Sequence, residues 1–397
     1  MRNHIVIVSE ESVFAGHYQT GIGEVVDTLA NTLRKYYDVT VITPGNSRGG
    51  KVGGRVRLGV YDEEFYTAAA EMVNQIQPDL LHNFGRPDFI DQLSVECPKV
   101  LSFDRWEEDI ADQLDSVPKY DHVVTLSSAY AAEMIAAHPE AAEWPLKGII
   151  NGIDGGLYSP SSADKAESRK HFYRMHGRED TGKPLFVTTG RLTEIKGSTE
   201  LIAEASALAS AGADLVVYGD GDEEYEKQLA ALHEAGALIF VPHLADYFEF
   251  SQAMAAADFY LTPSNHEVCG LQPMKAARMG CVPIVRPVGG MGENFDETTA
   301  IMITGTITDA VAHALALPAE EYAAIREKAM AGEWTWATRV LPWVELYGLE
   351  TAPISESAFR VTGTSTAKAA TYSRTETPAT TESTTTKKAS PFAKKGE

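Results

Sequence analysis

Short apolar runs rich in β-branched residues alternate along the chain with stretches in which apolar residues recur at helical spacing. In the first part of the chain, the apolar runs predict strands and the stretches between them predict helices. Strands are expected at residues 4–9, 39–43, 79–82, 99–103, 122–126 and 148–150, and helices at 23–35, 63–77 and 127–137. This alternation is typical of a parallel sheet that is covered by helices on both faces.

The alternation stops at a polar segment containing glycine, serine and proline, residues 153–183, which is predicted to be a connector. It then starts again. Strands are expected at 185–189, 214–218, 238–241, 259–262 and 283–286, and helices at 196–210, 222–235, 247–256 and 271–279. Two successive sheets predict an α/β fold with two Rossmann-like lobes, at residues 1–152 and 184–332. Ligands bind at the carboxyl ends of parallel strands, so a cleft between the lobes is the expected site.

The composition changes near the end of the chain, and residues 351–397 are rich in Ser, Thr, Ala and Lys. This segment has too few large aliphatic side chains to offset the entropy of ordering it, so it is predicted to be disordered. A plain linker and a weakly cationic tether both fit such a tail. It carries seven Lys/Arg and four Asp/Glu, a net charge of +3, so the rest of the chain carries about −25 of the total of −22.

The acidic body argues against a general nucleic-acid-binding protein, which needs a basic face to meet phosphates. No apolar run approaches the ~20 residues that span a bilayer, and the first apolar run is too short for a signal peptide. The three cysteines are an odd number without metal-like spacing. We therefore expect a soluble cytoplasmic protein with reduced thiols.

Two glycine turns lie where the predicted topology places ligands. Gly21 and Gly23 follow the first strand, and Gly289 and Gly290 follow the last predicted strand. Glycines let the backbone come close to a phosphate or a sugar, and the amino end of a helix favours negative charge. A packing turn and a plain surface loop fit these glycines as well, because the full dinucleotide fingerprint is not present.

Two cations follow the first strand of the second lobe. Arg191 and Lys196 flank a turn into a helix, where both could meet one pyrophosphate. Such a pair can stabilise the charge that builds on a departing nucleoside diphosphate. The alternative is an exposed pair in surface salt bridges, since exposed Lys and Arg are common.

A carboxylate lies after the strand predicted at 259–262. Glu267 could accept hydrogen bonds from sugar hydroxyls, and the amides of Cys269, Gly270 and Leu271 would point toward the cleft. An ordinary acidic residue near a helix amino end is the alternative, because acids favour that place. The histidines have no spacing typical of a metal site, so no metal is expected.

Several motifs occur in a fixed order over most of residues 1–350. They are TGIGEVV at 20–26, YDHVVTLS at 120–127, GIINGID at 148–154 with YSP at 158–160, RLTEIKG at 191–197, EVCGL at 267–271, GCVP at 280–283, and WTW and WVELY at 334–336 and 343–347. This series resembles the glycogen and starch synthases of bacteria and plants, and more broadly the retaining GT-B glycosyltransferases. The Cys-Gly-Leu core after Glu267 favours the synthase branch, because other GT-B families carry a second Glu where this chain has Lys275.

The resemblance implies a GT-B fold whose second lobe binds the nucleotide sugar, with residues 333–350 as a helix that crosses back onto the first, acceptor-side lobe. It implies transfer of glucose from ADP-glucose or UDP-glucose to the non-reducing end of an α-1,4-glucan, with retention and without a cofactor. Arg191 and Lys196 would bind the diphosphate and Glu267 would hold the glucose. The glycine turns and the amides of residues 269–271 would line the same pocket.

Three features depart from the pattern of that family. Gln19 stands where the family has a lysine, and the first lobe is shorter than in bacterial synthases. Asp104 lies nearest to the place of a first-lobe histidine, while His82 loosely matches another one; both are candidates for the acceptor side. A related GT-B enzyme with another acceptor, and a catalytically weakened glucan- or nucleotide-sugar-binding protein, are the alternatives. The donor base and the oligomeric state stay open.

Overall fold

The first lobe is built on an eight-stranded sheet. The protein is represented by a computed structural model, which describes residues 2–12, 21–45, 50–52, 54–103 and 108–351. The strands are β1 (His4–Ser9), β2 (Asp38–Thr43), β3 (Gly50–Val52), β4 (Arg55–Arg57), β5 (Leu80–Phe84), β6 (Lys99–Phe103), β7 (His122–Thr125) and β8 (Leu146–Gly148). Their order is β3-β4-β2-β1-β5-β6-β7-β8, and all pairs are parallel except β3 with β4.

Helices cover both faces of this sheet. They are α1 (Gly21–Leu33), α2 (Asp62–Ile76) and α3 (Ser128–Ala137), with 3-10 segments at Pro87–Gln92, Glu108–Lys119 and Pro139–Glu143. Side chains alternate across a strand, so Ile5 and Ile7 of β1 pack with α1, while Val6 and Val8 pack with α2 on the other face. The predicted covering of both faces is therefore confirmed.

The segment predicted as a connector contains a helix, which corrects that prediction. Helix α4 (Lys165–Met175) begins where the Asp164 side chain accepts a hydrogen bond from the Glu167 amide at 3.0 Å. Phe172 and Tyr173 are buried in the core of the second lobe. The sequence is polar because the helix buries only a narrow face.

The second lobe has a six-stranded parallel sheet. Its strands are β9 (Leu185–Thr189), β10 (Asp214–Tyr218), β11 (Ile239–Val241), β12 (Phe259–Thr262), β13 (Val282–Val285) and β14 (Ile301–Met302), in the order β11-β10-β9-β12-β13-β14. Its helices are α5 (Ser198–Ser210), α6 (Glu223–Glu234), α7 (Tyr247–Ala256), α8 (Leu271–Met279), α9 (Gly290–Asn294), α10 (Ile307–Ala316) and α11 (Ala319–Ala331). The predicted α/β fold with two Rossmann-like lobes is confirmed.

The chain then returns to the first lobe. Thr335 pairs with Ile153 in an isolated bridge, and two short helices follow, α12 (Trp336–Arg339) and α13 (Leu341–Tyr347). They place Trp336 and Trp343 in the core of the first lobe beside α1. One continuous helix was predicted over 333–350; the structure breaks it at Val340, just before a proline that lacks a backbone N–H for the ladder.

Other differences concern the bounds of elements and elements that were not predicted, which include helices α9, α10 and α11. The strand expected at 148–150 lies at Leu146–Gly148, and the helix expected from 196 begins at Ser198 because Gly197 adopts a left-handed conformation (φ 76°). Strands β3, β4 and β14 were not predicted. Within the described ranges, no helix is both long and apolar enough to cross a membrane. The predictions for Gln19, Asp104 and the tail at 352–397 fall outside the described residues.

Candidate functional site

The centre of the second sheet is a topological switch point. From β9 the chain runs through β10 and β11 to one edge, and from β12 it runs through β13 and β14 to the other edge. The loops that leave the carboxyl ends of β9 and β12 therefore diverge on either side of a crevice, which is where open parallel sheets bind ligands. The predicted cations and the predicted carboxylate lie on these two loops.

The two loops are joined by an ion pair. Lys196 Nζ lies 2.6 Å from Glu267 Oε2, with side chains 28 % and 18 % exposed. Backbone contacts hold the loops together, because the Asn265 amide donates to the Ile195 carbonyl at 2.8 Å. Gly197 completes the contact, since a Cβ atom there would lie 2.4 Å from the Pro263 carbonyl oxygen. The sequence predicted both charged residues, and the structure brings them together.

A glycine turn, formed by Gly289 and Gly290, contacts the backbone of the loop that carries Glu267. The Gly290 amide donates to the Glu267 carbonyl at 3.0 Å. Gly289 has φ 48° and ψ −133°, and a Cβ atom there would lie 2.1 Å from the same carbonyl oxygen. The second carboxylate oxygen of Glu267 faces the Gly270 amide at 3.4 Å. These glycines therefore let the backbone approach and orient the carboxylate.

A buried amide fixes the peptide between Cys269 and Gly270. Asn294 Nδ2 donates to the Cys269 carbonyl at 2.7 Å, and Arg339 donates to Asn294 Oδ1 at 3.1 Å. Because the C=O and N–H of one peptide point in opposite directions, this bond turns the Gly270 N–H toward Glu267. The Cys269 side chain is not reactive, since burial raises the pKa of its thiol to about 12. Sequence reasoning missed Asn294, which no motif singles out.

The first lobe reaches the site through the amino end of α1. A Cβ atom on Gly21 would lie 3.6 Å from Leu271 Cδ1, so the first residue of α1 lies next to the first residue of α8. Gly23 is buried within α1. Two helix amino ends that meet in a crevice both favour negative charge there.

Arg191 is placed on the loop after β9 without a contact to the ion pair. Its side chain is exposed, and it makes no hydrogen bond or ion pair with any residue that the structure describes. It shares the loop with Lys196, but the structure does not bring it to Glu267. Its guanidinium is therefore available to an anion that enters the crevice.

His82 lies in the core of the first lobe and not on the cleft surface. Its ring nitrogens bond to the Tyr347 hydroxyl at 2.8 Å and to Ser102 Oγ at 2.7 Å, and the side chain is fully buried. Burial lowers the pKa of the imidazole to about 3. The prediction that placed His82 at the acceptor does not agree with this position. The histidine anchors the returning helix α13.

Polar contacts join the lobes beside the crevice. His266 Nε2 lies 2.7 Å from Glu133 Oε2 on α3, and Glu293 Oε1 accepts from the Ala129 amide at 2.5 Å. Glu293 belongs to α9, the helix that opens with the glycine turn. The structure therefore describes an arrangement in which the lobes touch on the same side as the candidate site.

Comparison with known proteins finds a family match over the part of the chain that carries these loops. Residues 183–317 match the family described as "Glycosyl transferases group 1". The chain is 33 % identical over 205 residues to a glycogen synthase of Edwardsiella ictaluri, an alignment that covers 45 % of this chain and 42 % of that protein. The chain spans about half the length of the curated relatives it matches. The predicted resemblance to glycogen synthases is confirmed.

Solved structures extend the likeness to both lobes. The catalytic domain of starch synthase IV from Arabidopsis thaliana, bound to ADP and acarbose, superposes with a TM-score of 0.71 at 17 % identity, covering 87 % of this chain and 99 % of that one. HepE of Anabaena in complex with UDP-glucose gives a TM-score of 0.66 at 16 % identity, with 87 % and 100 % coverage. At this identity the likeness establishes the fold, which is GT-B.

Proposed function

We propose that this chain is a retaining glucosyltransferase of the glycogen/starch synthase type. It takes glucose from ADP-glucose or UDP-glucose and adds it to an α-1,4-glucan. The observation that carries the proposal is the contact of Lys196 with Glu267 at 2.6 Å, on the two loops that flank the switch point of the group 1 glycosyl transferase domain. A cation and a carboxylate so placed suit a ligand with a diphosphate at one end and a sugar at the other.

In the proposed reaction Glu267 binds the sugar and Lys196 binds the diphosphate. When the donor enters, Glu267 exchanges Lys196 for the hydroxyl groups of glucose, and Lys196 turns to the diphosphate. The bond between the anomeric carbon and the phosphate oxygen breaks, and its electron pair stays on the diphosphate. The acceptor hydroxyl oxygen bonds to the same carbon from the same face, and its proton passes to the departing phosphate. Lys196 and Arg191 stabilise the negative charge that grows on the leaving group.

Side-chain cations thus take the part that a metal ion plays in other transferases, and the proposal includes no metal or other cofactor. The donor and acceptor are proposed from the relatives, one of which was solved with ADP and acarbose and another with UDP-glucose. We also propose a cytoplasmic location, which the three buried free cysteines support.

The test is an assay of the full chain with ADP-glucose or UDP-glucose, with and without glycogen. Nucleoside diphosphate release and incorporation of labelled glucose into glycogen are measured together. We expect release that depends on glycogen and equals the glucose incorporated. Removing a cation that stabilises the leaving group raises the activation free energy by about 2–4 kcal/mol. Lys196→Ala and Arg191→Ala should therefore each lower kcat/KM by about 30- to 1000-fold.

Lys170→Ala is the matched control, because Lys170 forms an exposed pair with Glu167 on α4 at 2.9 Å. This variant should keep the wild-type rate. Diphosphate release without growth of the glucan would reject the proposed acceptor. Binding of a donor without any release would favour a binding protein over an enzyme, and wild-type turnover in both Arg191→Ala and Lys196→Ala would remove the assigned diphosphate site.

A further inference from the structure

A buried lysine joins the two lobes one helical turn after Leu271. Lys275 lies on α8 and is 3 % exposed, and its Nζ is 2.6 Å from Glu24 Oε2 on α1. The two residues are 251 positions apart in the chain. Among the residues that the structure describes, Glu24 is the carboxylate to which this ammonium group is bonded.

The connector supplies a third member of this contact. Lys275 Nζ lies 4.8 Å from the centre of the Tyr158 ring, a distance at which the ring face attracts a cation. Tyr158 is 5 % exposed, and burial together with the neighbouring Glu24 carboxylate raises the pKa of its hydroxyl. We call Glu24, Tyr158 and Lys275 the interlobe triad. It contains one residue from the first lobe, one from the connector and one from the second lobe.

The triad ties together two helices whose ends form the site. On α8, Lys275 follows Leu271 by one helical turn, and on α1, Glu24 follows Gly21 by nearly one turn. Leu271 and Gly21 lie side by side at the two amino ends. The ion pair is therefore a second contact between the same two helices, about one turn further along each.

Removing the Glu24 carboxylate while Lys275 stays buried is costly. A buried ammonium group that loses its carboxylate keeps its desolvation penalty and gains nothing in return. Glu24 is better able to stand alone, because its side chain is 22 % exposed and lies in the first turn of α1, where the helix dipole favours an anion. With the lobes in contact, the Glu24 carboxylate is the group that compensates the burial of the Lys275 ammonium group.

We propose that Glu24 and Lys275 are positioning residues that hold the amino end of α1 against the amino end of α8, so that the diphosphate site is complete only when the lobes are together. This inference rests on the proposed function, because it names a diphosphate as the ligand that gains from the contact. Neither residue touches the reacting atoms. Their removal weakens donor binding and leaves the chemical step of bound donor close to normal.

The test uses Lys275→Met, Glu24→Gln and the double variant in the full chain. Binding of ADP and of UDP is measured by calorimetry, the separation of the lobes by the radius of gyration in small-angle X-ray scattering, and the donor KM and kcat by diphosphate release. For Lys275→Met we expect KM and the dissociation constant of the preferred diphosphate to rise about 10-fold or more, with kcat within about threefold. The radius of gyration should increase.

The double variant distinguishes loss of the interlobe contact from loss of stability in the core. Gln and Met leave no unpaired buried charge, so it should regain thermal stability relative to Glu24→Gln and still bind diphosphate as weakly as Lys275→Met. Glu133→Gln is the control. It alters the pair of Glu133 with His266, which also joins the lobes; its atoms are 2.7 Å apart and both side chains are nearly half exposed. Exposed pairs of this kind contribute little to stability. This variant should change KM less than twofold.

Wild-type diphosphate affinity and an unchanged radius of gyration in a folded Lys275→Met or Glu24→Gln variant would overturn the inference. A lower kcat with unchanged KM and affinity would do so as well. A wild-type chain that binds ADP or UDP without turnover, and binds it more weakly after Lys275→Met, would keep the inference while rejecting the proposed reaction.

Discussion

Replacing Gly289 by alanine tests how the glycine turn supports the carboxylate of the site. The residue has φ 48° and ψ −133°, and an added Cβ atom would lie 2.1 Å from the carbonyl oxygen of Glu267. A carbon and an oxygen that are not bonded need more than 3 Å, so the Glu267 loop must retreat by about 1 Å. The same carbonyl accepts the Gly290 amide at 3.0 Å, and that bond is strained by the same movement.

Two costs follow from this substitution. The positive φ costs an L-residue roughly 1–3 kcal/mol of folding free energy, because the backbone conformation is sparsely populated. The displacement of Glu267 costs activity separately, since a misplacement of about 1 Å in a positioning group lowers rates on the order of 100-fold. We therefore expect Gly289→Ala to be folded, modestly less stable, and about 100-fold lower in kcat/KM for the donor.

The matched control is Gly177→Ala. Gly177 also has a positive φ, 65°, but an added Cβ atom there meets nothing within 4 Å. It follows α4, away from the loops of the site. This variant should lose about 1–2 kcal/mol from backbone strain alone and keep wild-type turnover.

The assay combines urea unfolding of both variants with initial rates of diphosphate release from ADP-glucose or UDP-glucose in the presence of glycogen. A folded Gly289→Ala chain with wild-type kcat/KM would show that the Glu267 loop does not depend on this turn. An equal loss of activity in Gly177→Ala would show that global strain, and not the displacement of Glu267, lowers the rate.

Three further predictions concern the core of the first lobe and the loop that carries Glu267. Burial lowers the pKa of His82 to about 3 from an ordinary value near 6.5, so between these values the unfolded chain binds a proton that the folded chain does not. Stability should therefore fall by about 1.4 kcal/mol per pH unit below pH 6.5, or about 2 kcal/mol by pH 5, and His82→Gln should remove this part of the slope in urea unfolding. Asn294→Ala should cost about 1–3 kcal/mol by leaving the Cys269 carbonyl unsatisfied, and should raise the donor KM; calorimetric Tm and KM at their wild-type values would contradict this. Trp343→Ala should cost about 3–5 kcal/mol in urea unfolding, because the ring is fully buried between the returning helix and the first sheet, and a loss under 1 kcal/mol would show that the helix is not part of that core.

The sheets were predictable because each buried strand is a short apolar run that can be recognised without its neighbours. The strand predicted at 4–9 coincides with His4–Ser9, and the one at 185–189 with Leu185–Thr189. Helix α4 was missed because its sequence is largely polar and its signal is the cap formed by Asp164. The edge strand β3 and its neighbour β4 were missed because each has only three residues, too few for an alternating pattern to be recognised.

The sequence predicted which residues of the site follow strands, but not which of them contact each other. Lys196 and Glu267 were found because each follows a predicted strand, but their contact joins positions 71 residues apart, and no spacing rule gives that. The role of His82 was misassigned for the same reason. Its partner Tyr347 lies 265 positions away and reaches it only because the chain returns to the first lobe.

That return has a consequence for the order in which the protein is made. The second lobe can close its core once Trp334, just after α11, has left the ribosome, whereas the first lobe must wait for Trp336, Trp343 and Tyr347. The amino-terminal half is therefore synthesised first and completed last. Until then its sheet exposes the apolar surface that α12 and α13 later cover, so a nascent chain stalled before residue 336 would be the species that needs chaperones most.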